Sequence, residues 1–451
     1  MKRKIQRNRK YIQTAVNMAW PAIIESFFIA LAGMVDSWMV SGVGAYAVAA
    51  VGLTTQPKFI GLALFIACNV SVSALVARRK GEEKRYGANQ IFLVAILFTL
   101  VAGIIVSMLC VVFAEPIMKI SGASSDTLEA SVMYFRIIMG GILFSLISLV
   151  INAAQRGAGN TKIAMRTNLT SNIVNMIGNY ILIQGNLGAP ALGIRGAAIA
   201  TVLGTVVACI MSVFSIMNKE IFVSIPYIIR KKIRISLQPV KSMFRIGGSA
   251  FIEQLLLRVG FMIVAVLAAN LGTEQFAAHQ VGMNIMALSF SFGDGLQVAA
   301  VALIGQSLGQ GKPNLAKKYG RICRYMGGGI SIILSVFYLI FGKSYYQMFF
   351  AEEEIVSYGV QIMQLMVFIV LLQIGQVIYM GCLRGAGDVL FTTFASTLSV
   401  TIIRPLSSYL FCYVFGMGVI GIWVGVTCDQ ICRYILTFYR FRTGKWMRIK
   451  I

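Results

Sequence analysis

The side chains best placed to do chemistry in this 451-residue chain are the few acids that lie within long apolar stretches. Asp36 stands in Gly33-Met34-Val35-Asp36-Ser37-Trp38, toward the far end of the first such stretch. A carboxylate at the centre of a bilayer-spanning helix costs about 2.5–3.5 kcal/mol on insertion scales, so it must be protonated, paired or hydrated. Apolar surroundings disfavour its charge, which suits it to taking up and releasing a proton. The competing reading is an interfacial aspartate near a helix end. Asn152, Asn175 and Asn179 carry amides that can donate hydrogen bonds to such a carboxylate or coordinate a cation. Asn175 and Asn179 are four apart and share one helix face, although amides also hold helices together without further function.

Glu253, in Ser249-Ala250-Phe251-Ile252-Glu253-Gln254, is the corresponding acid of the second half. Arg258 lies roughly 140° away around the same helix, which disfavours a simple intrahelical pair. Glu25 precedes Glu253 by 228 positions and occupies the matching place in the first half. It serves either a cavity or neighbouring helix ends. Asp294, between Gly293 and Gly295, is a secondary candidate. Asp429, four residues before Arg433, reads as a structural ion pair. The single histidine, His279, cannot build a multi-histidine metal site and reads as a structural hydrogen-bonding group. The eight cysteines form no CxxC pair and sit mostly in apolar runs, as small buried hydrophobes do.

These side chains need long apolar elements to hold them. The chain is 58% hydrophobic and only 12% charged, with a net charge of +24 and a mean hydropathy of +0.79. About half the charge of an average soluble domain is too little to cover a water-facing enzyme, and the apolar content excludes disorder. Crossing a bilayer takes about 20 mostly apolar residues. Such stretches are expected at 14–40, 47–76, 90–113, 131–154, 163–183, 193–217, 246–269, 276–308, 321–341, 358–382, 391–414 and 418–438. The fold class is therefore an all-α integral membrane protein of about twelve transmembrane helices. The methionines and aromatic residues suit an adaptable apolar cavity. No cleavable leader is read at the basic N-terminus, because the apolar run from Trp20 continues as a full span.

The basic residues fall in alternate connections: Arg78–Lys80 with Lys84 and Arg85, then Arg156 to Arg166, Arg230 to Lys241, Lys312 to Arg321, and the C-terminal run. Intervening connections such as 41–46 and 415–418 carry no charge, and the one after Phe341 holds Glu352, Glu353 and Glu354. The positive-inside rule then places both termini in the cytoplasm, in a multi-pass protein of the plasma membrane. Basic residues scattered over short loops exclude nucleic acid as a partner and favour attraction to anionic lipid headgroups of the bilayer.

The sequence also repeats. Arg156-Gly157-Ala158-Gly159-Asn160 recurs as Arg384-Gly385-Ala386-Gly387-Asp388, and Lys84-Arg85-Tyr86-Gly87 as Lys317-Lys318-Tyr319-Gly320. Two six-helix lobes result, 1–217 and 241–451, joined by a cytoplasmic linker at 218–240. Because six is even, the pseudo-two-fold axis relating them runs along the membrane normal, which suits alternating access.

With these landmarks in this order, nearly the whole chain resembles the multidrug and toxic compound extrusion (MATE) family of the MOP flippase superfamily. The resemblance rests on the paired RGAG motifs, on Val35-Asp36 leading to Val43-Gly44, and on Ala277-Ala278-His279-Gln280 followed by Gly305-Gln306-Ser307-Leu308-Gly309. It implies a monomeric, non-enzymatic exporter of bulky amphipathic or cationic drugs, driven by proton or sodium entry and needing no cofactor. It implies cation coupling at Asp36 with Asn152, Asn175 and Asn179. It implies coupling or substrate attraction at Glu253 and Gln280, and a helix at Pro21 whose bend changes on protonation; a static kink is the alternative. Some members carry an aspartate where Asn179 stands, and some sodium-coupled ones an acid where this chain reads Leu371-Leu372-Gln373-Ile374-Gly375-Gln376. Their absence favours protons over sodium. The nearest rival is a lipid-linked oligosaccharide flippase, which would need a strongly cationic cavity, whereas only Arg136, Arg258 and Arg404 depart from the loops. A membrane-embedded transferase would need larger loops with acid or histidine clusters, and a channel a repeated filter segment.

Overall fold

The computed structural model describes residues 2–123, 125–350 and 352–449; the side chains of 2–8, 45 and 273 lie outside the description. Lys2, Arg3, Lys4 and Arg7 of the basic N-terminal run are among these, and Lys450 also falls outside. Among the described residues the chain is helical, without a strand. A spanning segment in hydrocarbon must satisfy its own backbone polar groups, and helices do so.

The helices follow in order: α1 (Lys2–Ser41), α2 (Ala45–Gly81), α3 (Arg85–Val112), α4 (Ala114–Ile120), α5 (Ser125–Gly140), α6 (Ile142–Gly157), α7 (Thr161–Gln184) and α8 (Ile194–Ile216). After the short α9 (Ile225–Arg230) come α10 (Leu237–Ala269), α11 (Thr273–Gly309), α12 (Pro313–Gln347), α13 (Glu353–Ala386), α14 (Val389–Ser396), α15 (Arg404–Tyr409) and α16 (Gly418–Thr443). Ten helical segments among the described residues are long and apolar enough to span, and α5 with α6, bent by 46°, makes an eleventh. That bend falls within the expected straight span 131–154, at the Gly140-Gly141 pair, where small residues permit a kink. At 24 residues α7 is long enough to cross. Asn168, Asn172, Asn175 and Asn179 lower its hydropathy, so composition alone does not mark it. Counting α7, the spans number twelve.

Two compact units divide the chain: Phe27–Phe251, and Met1–Ser26 with Ile252–Ile451. The boundaries fall within α1 and α10, whereas the sequence suggested the 218–240 connection. That connection packs inside the first unit, where Arg85 donates to the carbonyls of Lys219 (2.8 Å), Ile221 (2.6 Å) and Phe222 (3.1 Å). In the second unit Gly295 approaches the α1 backbone at Ala22–Ile23. This contact lies just beyond Pro21, through which α1 runs as one helix.

The repeated RGAG motif has the same physical role in each unit. Its first glycine permits close packing: a Cβ at Gly157 would lie 2.5 Å from the Ser73 carbonyl oxygen, and one at Gly385 2.5 Å from that of Val301. Its second glycine turns the chain out of the helix, with φ of 91° at Gly159 and 87° at Gly387, the left-handed region open to glycine. The stretch expected at 391–414 is not a plain α-helix. It contains π-helical turns at Thr397–Ile403 and Leu410–Val414 on either side of α15. Pro405 lacks an N–H and cannot complete the regular ladder there.

Candidate functional site

Asp36 sits half-buried on α1, and two amides of α7 converge on it. Asn179 donates from Nδ2 to Asp36 Oδ1 at 2.7 Å. The Asn175 amide is oriented by its neighbours. With its nitrogen toward the carboxylate it donates to both Asp36 oxygens, at 2.8 and 3.1 Å, and its oxygen accepts from Thr201 Oγ1 and N, each at 3.2 Å. The opposite orientation would set the amide oxygen against the carboxylate. The i,i+4 spacing of Asn175 and Asn179 is what aims both at one acceptor. Asn152 takes a different place from the one expected beside Asp36. Its amide is engaged by Ser148 (3.3 Å) and Thr167 (3.1 Å). Ser148 is in turn bonded to Ser212 at 2.9 Å, so Asn152 ties α6 to α7 and α8.

Two further residues belong to the Asp36 surroundings and were not singled out from the sequence. Lys58, on α2 beside Pro57, is within electrostatic range of Asp36, as is Tyr134 of α5. Lys58 had a legible signal, since a lysine inside the span 47–76 is a functional candidate by default. Asn179 Oδ1 is buried and accepts no hydrogen bond among the described residues. The site therefore comprises one carboxylate, two amide donors facing it, a spare amide acceptor and a nearby ammonium.

In the second unit three buried acids, Glu253, Asp388 and Asp429, are held by arginines. Glu253, 1% exposed, bonds through Oε1 to Arg384 Nη2 at 2.7 Å and through Oε2 to Thr393 at 3.5 Å. Arg384 is the arginine of the second RGAG motif, so the motif supplies the counter-ion that Arg258 was not expected to provide. The motif's Asp388 pairs with Arg440 at 2.7 Å. Asp429 does pair with Arg433, at 2.7 and 2.8 Å. It also accepts from Arg404 at 2.6 and 3.0 Å and from Gln430 at 3.3 Å. Arg404 stacks over Phe261 at 4.9 Å. Two guanidiniums and one carboxylate leave this buried cluster with one net positive charge.

The remaining candidates are dispersed. Glu25 is buried on α1. Asp294 accepts from Ser26 at 3.2 Å. His279 packs between Phe276 and Trp423, at centroid distances of 6.4 and 5.7 Å, while Gln280 is exposed. No group of three His, Cys, Asp or Glu suited to a metal ion occurs among the described residues.

The MatE family model matches residues 21–181 and 249–410, one stretch for each half of the repeat. A probable multidrug resistance protein NorM of Thermotoga maritima is 25% identical over 96% of this chain and 92% of its own length. The multidrug resistance protein MdtK of Proteus mirabilis is 27% identical, over 92% and 93% respectively. The fold matches an outward-facing multidrug resistance MATE family transporter of the MOP superfamily with a TM-score of 0.89 at 20% identity, covering 96% of this chain and 95% of that one. A MOP superfamily transporter of Pyrococcus furiosus, described by a reversed polarity of its binding pocket, also scores 0.89 at 20% identity, covering 98% and 97%. Matched across both halves of its repeat, the chain belongs to the multidrug and toxic compound extrusion family of membrane transporters.

Proposed function

We propose that this protein exports amphipathic or cationic small molecules in exchange for protons, by alternating access, with Asp36 as the proton-coupling residue. The observation that carries the choice of ion is the hydrogen bond that the Asn179 amide donates to Asp36. Asn179 turns its N–H to the carboxylate, and Asn175 does so with its amide assigned to suit its neighbours, whereas a sodium ion would need their oxygens. The ammonium of Lys58 nearby further disfavours a second fixed cation.

A proton arriving on Asp36 turns one carboxylate oxygen from an acceptor into a donor. The Asn179 amide, which donates to the ionised form, then meets an O–H. Rotation of the amide presents its Oδ1, and the α1–α7 contact re-forms with the bond reversed. Protonation thereby changes how α1 packs on α7. Proton and substrate oppose one another through that change, and the coupling is reciprocal. The membrane potential contributes about 2.3 kcal/mol per charge per 100 mV. In the second unit Glu253 already has a counter-charge, so a part for it in coupling requires that a proton or a cationic substrate replace Arg384.

Asp36→Asn should abolish drug uptake into inverted proteoliposomes under an imposed pH gradient while leaving the thermal melt of the purified protein intact. A protonophore should abolish uptake by the wild type, and replacing sodium with choline should not. Full transport by Asp36→Asn would sink the assignment, and loss of transport without sodium would return the ion to sodium.

A further inference from the structure

A cavity of about 570 Å³ opens in the unit Phe27–Phe251 where α2 ends and α3 begins, roofed by the connection that leads into α10. Its lining is two-faced. Leu75 and Ile91 supply apolar surface from the ends of two spans, and Arg79, Lys84 and Arg85 supply three cations, with Glu83 in the lining and Glu82 bridging two of the cations. Tyr227 of α9, with Gln238 and Ser242 of the first turns of α10, adds polar groups.

The cations are held in place. Arg79 and Lys84 share Glu82, at 2.7 and 3.2 Å. Arg85 bonds neutral carbonyls and stacks over Tyr227 at 4.4 Å. Tyr86 and Gly87, in the first turn of α3, also line the space. The N–H groups of a first helical turn have no partner within the helix and favour an anion. The ends of two spans lie at the level of lipid headgroups, where tyrosine and basic residues concentrate.

From this geometry we infer that the cavity is a binding site for the phosphate-bearing headgroup of an anionic phospholipid. The phosphate meets Arg79, Lys84 and the first turn of α3, and the glycerol end of the acyl chains meets Leu75 and Ile91. The lipid would brace the α2–α3 turn against the connection to α10. This site is separate from Asp36 and does not depend on what the protein transports.

The test is retention of phosphatidylglycerol against phosphatidylcholine by the full-length protein, read by native mass spectrometry from detergent. Each cation near a membrane surface is worth roughly fivefold in affinity for an anionic lipid. Arg79→Gln with Lys84→Gln should therefore lower phosphatidylglycerol retention at least about tenfold and leave phosphatidylcholine unchanged. Ser242→Phe, which fills the cavity without altering charge and leaves the Glu82 bridges in place, should lower it as well. Equal retention of the two lipids by the wild type, or undiminished phosphatidylglycerol retention by Ser242→Phe, overturns the site. If millimolar inorganic phosphate or glycerol phosphate displaces bound phosphatidylglycerol completely in the wild type, the ligand is a soluble phosphate and the lipid assignment fails.

Discussion

The three asparagines first grouped with Asp36 have separate tasks, and a substitution at each can tell them apart. Asn179 gives its amide to the carboxylate at 2.7 Å, whereas Asn152 is bonded to Ser148 and Thr167. If Asp36 couples protons as proposed, Asn179→Leu should cut transport at least about tenfold, because it removes a donor to that carboxylate, with little change in thermal stability, because Asn175 remains a donor to it. Asn152→Leu should do the reverse. It leaves buried hydroxyls without their partner at a cost of about 1–3 kcal/mol, read as a lower melting temperature, while transport per folded molecule stays near the wild type. Equal effects of the two on coupling would mean that Asn152 belongs to the site after all. Spacing revealed that Asn175 and Asn179 share a face, because helical periodicity is local. It could not reveal which of three amides reaches α1, since that depends on the packing of helices far apart in sequence. Lys58 was legible as an ion in an apolar span; only the fold brings it within range of Asp36.

Glycine placement carries much of the packing between elements. Gly385 lets α13 approach the α11 backbone at Val301, and this brings Arg384 to within 2.7 Å of Glu253. Gly385→Val should cost about 1–3 kcal/mol or more by overpacking, seen as a lower melting temperature or a smaller folded yield. A variant as stable as the wild type would show that α13 and α11 can part without penalty. The α2–α3 turn offers a pH-dependent counterpart. Partial burial pushes the Glu82 carboxyl up, but its hydrogen bonds and charge contacts with Arg79 and Lys84 outweigh this, and it is held below the usual 4.5. A depressed acid contributes stability that is present above its unfolded value and is lost as pH falls through its folded value. Acidification from pH 5 to below 4 should therefore lower the melting temperature of the wild type more steeply than that of Glu82→Gln; parallel curves would exclude this role. Repeat and span positions were readable because hydropathy and motif order are written along the chain. The bend at Gly141 and the π-helical turns around Pro405 were not, because they balance local backbone preference against neighbouring helices.

At the scale of the molecule, the +24 net charge becomes an argument about orientation once the helices are in place. Arg78, Arg79 and Lys80 close α2, and Arg85 opens α3. Arg156 ends α6, Lys312 caps α12, and Arg440 and Arg442 close α16. If twelve segments cross, these positions are predicted on one side of the membrane and 41–46, 185–193 and 415–418 on the other. The positive-inside rule predicts that the first side is the cytoplasmic one. Because the eight cysteines sit at buried or half-buried positions, single exposed cysteines in a background with those eight replaced can report sidedness. Lys162 and Leu187 are both exposed and lie at opposite ends of α7, on sides of opposite assignment. A membrane-impermeant maleimide added to intact cells should modify Leu187→Cys and spare Lys162→Cys, and in inverted membrane vesicles the preference should reverse. Labelling of both from one side would mean that α7 does not cross. It is the span whose asparagines lower its hydropathy, and the one on which the placement of Asn175 and Asn179 against Asp36 depends. Labelling with both preferences exchanged would invert the whole molecule, and Asp36 would then face the cytoplasmic half of the membrane, where an inward proton gradient could not load it from outside.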